Sequence, residues 1–164
     1  MPTHAENRDL PYSPRQLYDL VADVERYPEF LPWCRAARII QRKDNEFTAQ
    51  VVIGYKMVRE SFVSRDVLSP PGGGVDGDGP NGDGSGRIDV TYEEGPFRYL
   101  NNHWIFEPKE VDGKPGCRID FFIDFEFRSH LLQKVIGALF NEAALKMIDS
   151  FEKRAAELYG DALR

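Results

Sequence analysis

The sequence predicts an α+β fold in which the apolar face of an antiparallel sheet packs against a long C-terminal helix. Apolar residues recur at every second position in segments between residues 47 and 127, and a helical periodicity follows from Leu131 to Tyr159. Consecutive strands followed by a helix are typical of α+β domains, and 164 residues fit one such domain. We therefore expect a single domain over residues 1–164.

The first helix is predicted to follow an N-terminal strand. Ser13, Pro14 and Gln16 form a capping-box pattern, with serine as N-cap and proline at the first helical position. One face of the helix then carries Leu17, Leu20, Val21 and Val24. The helix should end near Tyr27–Pro28, because a residue before proline is disfavoured in the helical conformation.

About six strands are predicted between the two helices. Phe47–Tyr55 alternates apolar and polar residues, and a turn near Lys56–Arg59 leads into a strand through Phe62 and Val67. Further strands are expected at residues 87–92 and 97–107. The clearest alternation is Ile119–Phe127, where apolar side chains share one face and charged side chains the other. The sheet should therefore be apolar on one side.

Residues 70–86 interrupt the strand pattern. This segment holds eight of the 14 glycines, three prolines and three aspartates, and Val75 is its one apolar side chain. It cannot bury enough apolar surface to offset its chain entropy. We expect a mobile insertion between two strands of a hairpin.

The final helix is predicted to begin after Ser129 as N-cap and to end at Gly160. Leu131, Ala144 and Ile148 widen an apolar stripe that is broader than helix packing requires. The main stripe consists of Leu132, Val135, Ile136, Leu139, Phe140, Ala143, Met147 and Phe151.

Charge and cysteine content limit the classes of function. Lysine and arginine total 21 against 27 acidic residues, a net charge of -6, which disfavours nucleic acid and excludes DNA as an expected partner. Cys34 and Cys117 are interpreted as reduced, buried thiols of a cytoplasmic protein. No run approaches the roughly 18 apolar residues that span a bilayer.

Catalytic and metal-binding patterns are not found in the sequence. His4, His103 and His130 lie far apart and have no ligand partner at helical spacing, so no metal site is expected. The alternating strands offer few polar groups to a cavity apart from Tyr55, Tyr92 and Asn102. An enzyme would place titratable groups there, so the pattern favours a protein that is not an enzyme.

Two neighbouring features go beyond a minimal core. Phe30-Leu31-Pro32-Trp33 is a bulky apolar loop that either fills the core or is offered to an apolar partner. A basic group follows it on an otherwise acidic chain: Arg35, Arg38, Arg42 and Lys43. These cations are either the solvated face of a strand or a site that docks on lipid phosphates.

A set of motifs occurs in a recognisable order over nearly the whole chain. They are Val21-Ala22-Asp23-Val24, Tyr27-Pro28-Glu29-Phe30-Leu31-Pro32-Trp33-Cys34, Gly95-Pro96-Phe97 with Leu100, Trp104 and Phe106, and Asp124-Phe125-Glu126-Phe127. In this order they resemble the coenzyme Q-binding family of START-like, polyketide cyclase/dehydrase-type domains. A bacterial branch of that family is described as a ribosome-association toxin.

The resemblance implies a helix-grip fold, in which a curved antiparallel sheet wraps the C-terminal helix and leaves an apolar cavity. It implies binding of ubiquinone or a related polyisoprenoid quinone in support of respiration and quinone synthesis, with no reaction catalysed and no cofactor required. The alternative that it implies is binding to a ribosomal subunit. Trp33 and the net charge of -6 favour the quinone branch. The insertion at 70–86 departs from the family pattern at one rim of the cavity.

The expected ligand site combines the final helix, the inner face of the sheet and the Phe30–Trp33 loop as its mouth. A peripheral contact with the inner membrane is expected at the basic group, and the oligomeric state stays open. The candidate ligand-binding residues are Phe30, Leu31, Pro32, Trp33, Val51, Ile53, Trp104, Phe106, Phe121, Ile123, Phe125, Leu132, Val135, Ile136, Leu139, Phe140, Ala143 and Met147.

Overall fold

A curved antiparallel sheet and the helices on its inner face form the computed structural model, which describes residues 3–31, 33–55, 58–71, 84–137 and 140–160. The strands within these ranges are β1 (Thr3–Leu10), β2 (Cys34–Lys43), β3 (Glu46–Tyr55), β4 (Val58–Ser69), β5 (Gly86–Glu94), β6 (Phe97–Val111) and β7 (Lys114–Phe127). The helices are α1 (Pro14–Ala22), a 3₁₀ helix (Val24–Glu29), α2 (His130–Gly137) and α3 (Phe140–Tyr159). Sheet order is β1-β7-β6-β5-β4-β3-β2, with all neighbours antiparallel. This arrangement confirms the predicted α+β helix-grip fold.

The period-two segments form the core as the sequence predicts. Phe47, Ala49 and Val51 of β3 are buried, and so are Ile119 and most of the apolar face of β7. The opposite face of β7 carries charged side chains that stay partly exposed. Bulges in β2 and at the starts of the β4–β5 and β6–β7 pairings bend the strands, which helps the sheet to curve.

Helix α1 begins as predicted and ends earlier. The Ser13 hydroxyl accepts from Gln16 N at 3.0 Å, and Ser13 N donates to Gln16 Oε1 at 3.0 Å, so the capping box is confirmed. The α-helix ends at Ala22, and the 3₁₀ helix takes in Tyr27–Pro28. Because the Tyr27 hydroxyl donates to the Val21 carbonyl, this tighter segment is held against the end of α1.

The predicted final helix is described in two segments, α2 and α3, and residues 138–139 between them lie outside the described ranges. Its predicted caps are confirmed, because Leu132 N donates to Ser129 Oγ at 3.2 Å and Gly160 has a φ of +73°. Leu139 lies outside the described residues.

Buried apolar residues form two clusters. The main cluster joins α1, α3 and the middle of the sheet. The second lies toward the end of the sheet near α2 and consists of Phe97, Leu100, Phe125, Phe127 and Ala144. Strands β4 and β5 pair from Ser69 and Arg87, which confirms the hairpin around the predicted insertion. Residues 72–83 of that insertion lie outside the described ranges, so its mobility stays a prediction.

The turn between β5 and β6 requires glycine at position 95. Gly95 has a φ of +145°, and a Cβ there would lie 2.6 Å from the Cβ of Phe62. At the β6–β7 turn, Gly113 has a φ of +78°, and a Cβ added there would have no described atom within 4 Å apart from those of its chain neighbours. A side chain at position 113 would therefore introduce backbone strain alone, whereas a side chain at position 95 would also introduce a steric clash.

We expect Gly95→Ala to lower the free energy of unfolding by about 3 kcal/mol, since backbone strain and the contact with Phe62 add together. Gly113→Ala, which introduces strain alone, should cost about 1 kcal/mol. Urea unfolding of both variants measures the difference. Equal losses would show that the close approach to Phe62 has no energetic effect.

Candidate functional site

An apolar cavity, partly open to the surface, lies between the inner face of the sheet and α3. Its volume is about 110 Å³. Trp104 and Phe121 of the sheet and Phe151 of α3 form its centre, with ring centroids 4.6 Å apart for Trp104–Phe121 and 5.1 Å apart for Trp104–Phe151. Such spacings are typical of tilted and edge-to-face packing. The wall is therefore a rigid aromatic surface.

The Phe30–Trp33 loop closes one side of the cavity. Leu31 is 2% exposed and belongs to the core, whereas Trp33 is half-buried and lines the cavity. Gly54 N donates to the Trp33 carbonyl at 2.8 Å, which fixes the loop to β3. Of the two possibilities for this loop, filling the core is confirmed for Leu31. Pro32 lies outside the described residues.

Side-chain contacts also fasten this loop to α3. The Phe30 ring packs edge-on against Phe151 at 5.2 Å, and the Arg154 guanidinium lies over the Phe30 ring at 5.2 Å. Arg154 Nη2 also donates to Glu29 Oε1 at 2.6 Å. The loop and α3 must separate if a ligand enters on this side.

A buried carboxyl group lies in the cavity wall. Asp66 of β4 is 5% exposed, and the Ser64 hydroxyl donates to its Oδ1 at 2.9 Å. Burial raises the pKa of Asp66 to about 6, although the hydrogen bond from Ser64 opposes this shift. Tyr27 also lines the cavity, and its burial, together with the negative charge of Asp66, raises its pKa well above the ordinary value. Asp66 gives the cavity one strongly polar position.

Sequence reasoning missed Asp66, although the titratable side chains that line the cavity are few, namely Tyr27 and Asp66 among the described residues. The alternation along β4 could have identified Asp66. Phe62, Ser64 and Asp66 lie at every second position of this strand and face the inner side of the sheet. Among the polar residues that were considered, Asn102 lines the cavity and Tyr92 packs on the second cluster. The Tyr55 side chain lies outside the description.

The predicted ligand-binding residues fall into four groups. Those that line the cavity are Leu31, Trp33, Val51, Trp104, Phe121, Ile123 and Met147. Phe30, Ile53 and Phe106 pack in or against the main cluster, and Phe125 and Leu132 in or against the second. Val135 is 40% exposed on α2. The side chains of Ile136, Leu139, Phe140 and Ala143 lie outside the description.

The basic group lies on β2, which is an edge strand of the sheet. Arg35, Arg38, Arg42 and Lys43 are exposed, and none forms an ion pair with another described residue. Arg38 Nε donates to Gln50 Oε1 at 3.0 Å, and the Arg42 guanidinium lies 5.4 Å from the centre of the Phe47 ring. Exposed cations on an edge strand also prevent edge-to-edge pairing.

Other chemical sites are not apparent in the described part of the chain. No three His, Cys, Asp or Glu side chains there are grouped to hold a metal ion. Cys34 and Cys117 are free and buried, and burial raises the pKa of the first thiol to about 11 and of the second to about 12. Both thiols are therefore protonated at neutral pH and are poor nucleophiles.

Within the described ranges, no helix is both long enough and apolar enough to span a bilayer.

Comparison with known proteins supports the resemblance seen in the sequence. The family model described as polyketide cyclase / dehydrase and lipid transport matches residues 10–152. A ribosome association toxin, RatA, of Rickettsia prowazekii is 40% identical over 91% of this chain and 92% of its own length. The mitochondrial coenzyme Q-binding protein COQ10 homolog B of Xenopus laevis is 30% identical over 96% of this chain and 59% of its own length.

Solved structures share the fold. An 18 kDa protein of Caulobacter crescentus is 34% identical with a TM-score of 0.69, covering 98% of this chain and 100% of that one. An aromatase/cyclase of Streptomyces sp. R1128 has a TM-score of 0.71 at 12% identity, covering 94% of this chain and 93% of that one. At such low identity, the second likeness concerns the fold alone.

Asp66 should make stability depend on pH. Its pKa is raised on folding, so the folded state holds the proton more tightly, and the free energy of unfolding should fall as pH rises from about 4 to about 6. We expect Asp66→Asn to remove this loss and to be more stable than the unmodified protein at about pH 8, by on the order of 2–3 kcal/mol.

Urea unfolding at about pH 4.5 and pH 8 measures this difference. Asp120→Asn, a substitution on β7 away from the cavity, is the matched control and should leave the pH dependence unchanged. If Asp66→Asn followed the unmodified protein at both pH values, the carboxyl would carry no burial penalty.

Proposed function

Because the chain belongs to the polyketide cyclase/dehydrase and lipid transport family, we propose that it binds a polyisoprenoid quinone, such as ubiquinone, between the sheet and α3. The apolar cavity around Trp104 carries this proposal. The relative named as a coenzyme Q-binding protein adds support over 96% of this chain. The proposed role is to carry the lipid for respiration and quinone synthesis, without transforming it.

A carrier is needed because the isoprenoid tail of the quinone is apolar. Each methylene transferred into water costs about 0.8 kcal/mol, so that every isoprene unit costs several. An apolar cavity offsets this cost. The two tryptophans that line it, Trp33 and Trp104, present flat rings against which a quinone head can stack.

Ligand binding requires the cavity to widen. Its volume of about 110 Å³ is below the roughly 300–1,000 Å³ of typical small-molecule sites. The Phe30–Trp33 loop is the element proposed to move, because it reaches α3 through the side-chain contacts of Phe30 and Arg154. The tail would then leave the cavity between this loop and α3.

The basic strand β2 begins directly after this loop. We propose that its cations bring the mouth of the cavity to an anionic membrane surface, where each one contributes about 1 kcal/mol. Arg38 and Arg42 are suited to this role because no described carboxylate pairs with them.

A second candidate function is binding to a ribosomal subunit. The observation that favours it is the 40% identity over 91% of this chain to a protein named ribosome association toxin. The net charge of -6 opposes contact with ribosomal RNA, except at the basic strand. Co-sedimentation of the purified protein with ribosomal subunits separates the two candidates. If the protein contains no lipid and sediments with a subunit, the second replaces the first.

We expect Trp33→Ala to reduce bound quinone several-fold, since it removes a ring from the cavity wall. The loss of a half-buried ring should lower the free energy of unfolding by about 2 kcal/mol, so the variant stays folded. Trp33→Phe, which keeps an aromatic ring, is the control. Organic extraction and mass spectrometry measure the co-purified lipid. Full retention of quinone in Trp33→Ala would exclude the ring from the site.

The double variant Arg38→Glu and Arg42→Glu should bind anionic vesicles more weakly, and the difference should shrink at high salt. A control with the same change in net charge combines Lys114→Glu and Lys153→Glu, two exposed positions on β7 and α3. Vesicle flotation measures the bound fraction. Equal binding of both double variants would show that the β2 cations are only the solvated face of an edge strand.

A further inference from the structure

The polar part of the cavity wall contains a hydrogen-bond acceptor that the donors of the protein do not fully occupy. Asp66 is 5% exposed and lines the cavity. Ser64 Oγ donates to Asp66 Oδ1 at 2.9 Å, and no other described residue donates to this carboxyl group. An ionised carboxylate accepts through two oxygens and donates through neither. The carboxylate therefore has the capacity to accept a hydrogen bond from a ligand.

The two hydroxyl donors nearest this carboxyl group in the description already have acceptors within the protein. Ser64 donates to Asp66, and the Tyr27 hydroxyl donates to the Val21 carbonyl. Asn102 Nδ2 donates one of its two hydrogens to the Phe122 carbonyl at 2.8 Å. A ring that carries only carbonyl oxygens would place acceptors beside a carboxylate, and burying polar groups without partners is costly.

The rest of the wall fits the faces of one aromatic ring. Trp33, Phe62, Trp104 and Phe121 line it, and its volume is about 110 Å³. A protein cavity of roughly 150 Å³ is known to hold benzene. The cavity is therefore close to the size that holds a single ring, even before it widens to admit a tail.

We propose that the cavity selects a ring bearing a free hydroxyl group, the hydroquinone form of the lipid rather than the quinone, with that hydroxyl donating to Asp66. The lipid class in this inference rests on the proposed function. The step is hydrogen bonding alone, so that no bond breaks and no electron moves. A pKa of about 6 leaves Asp66 ionised at about pH 8, where Tyr27 and Cys34, whose pKa values are raised, are neutral.

The test is a titration of the full chain with decylubiquinone and with decylubiquinol under anaerobic reducing conditions at about pH 8, followed by tryptophan fluorescence. The unmodified protein should bind the reduced form roughly ten- to hundred-fold more tightly, as expected for a hydrogen bond to a charged group. Asp66→Asn should reduce this preference to about twofold or reverse it, since an amide also donates. Asp120→Asn, outside the cavity, should keep the preference.

Equal affinity for the two forms in the unmodified protein, or a preference that survives in Asp66→Asn, would overturn the inference and leave quinone binding in place. If neither form binds, the proposed function fails. A tail-free pair then decides the inference by itself: p-cresol should raise the melting temperature more than toluene, and Asp66→Asn should abolish the difference. Equal effects of the two in the unmodified protein would overturn it.

Discussion

The ring of Phe151 is the contact on which the rest of the structure depends. From the middle of α3 it meets Trp104 of the sheet at 5.1 Å, Tyr27 of the 3₁₀ helix at 5.3 Å and Phe30 of the following loop at 5.2 Å. One buried side chain thus fixes the helix against the sheet and the loop against the helix. Because these three surfaces meet at one point of α3, they border the space beside it, and that space is the cavity.

Much of this arrangement could be predicted because short stretches of the sequence determine it. The alternation in β7 sets which side chains face inward, and the Ser13 capping box and Gly160 set helix ends through contacts a few residues away. Tyr27–Pro28 was placed at a helix end, whereas the hydrogen bond from Tyr27 to Val21 keeps the chain in a tighter helix.

The site was harder to predict than the fold, because a periodic pattern identifies the inner face without identifying which part of that face borders empty space. Phe106 and Trp104 share one face of β6, yet only Trp104 lines the cavity. Asp66 was missed for a different reason: a charged residue in a strand is ordinarily assigned to the solvent side. Its position among apolar neighbours destabilises the folded state, and residues with such a cost are candidates for function.

The two candidate functions depend on different parts of the molecule. The proposed quinone binding would use the interior between Trp104 and α3, whereas the proposed contact with a membrane or a ribosomal subunit would use the exposed cations of β2. The fold alone decides neither, since a shared architecture hosts unrelated functions. The Phe30–Trp33 loop joins the two regions, because it closes the cavity and leads directly into β2. The strand that would meet a partner thus continues the loop, whereas the strand that anchors the loop through Gly54 is β3.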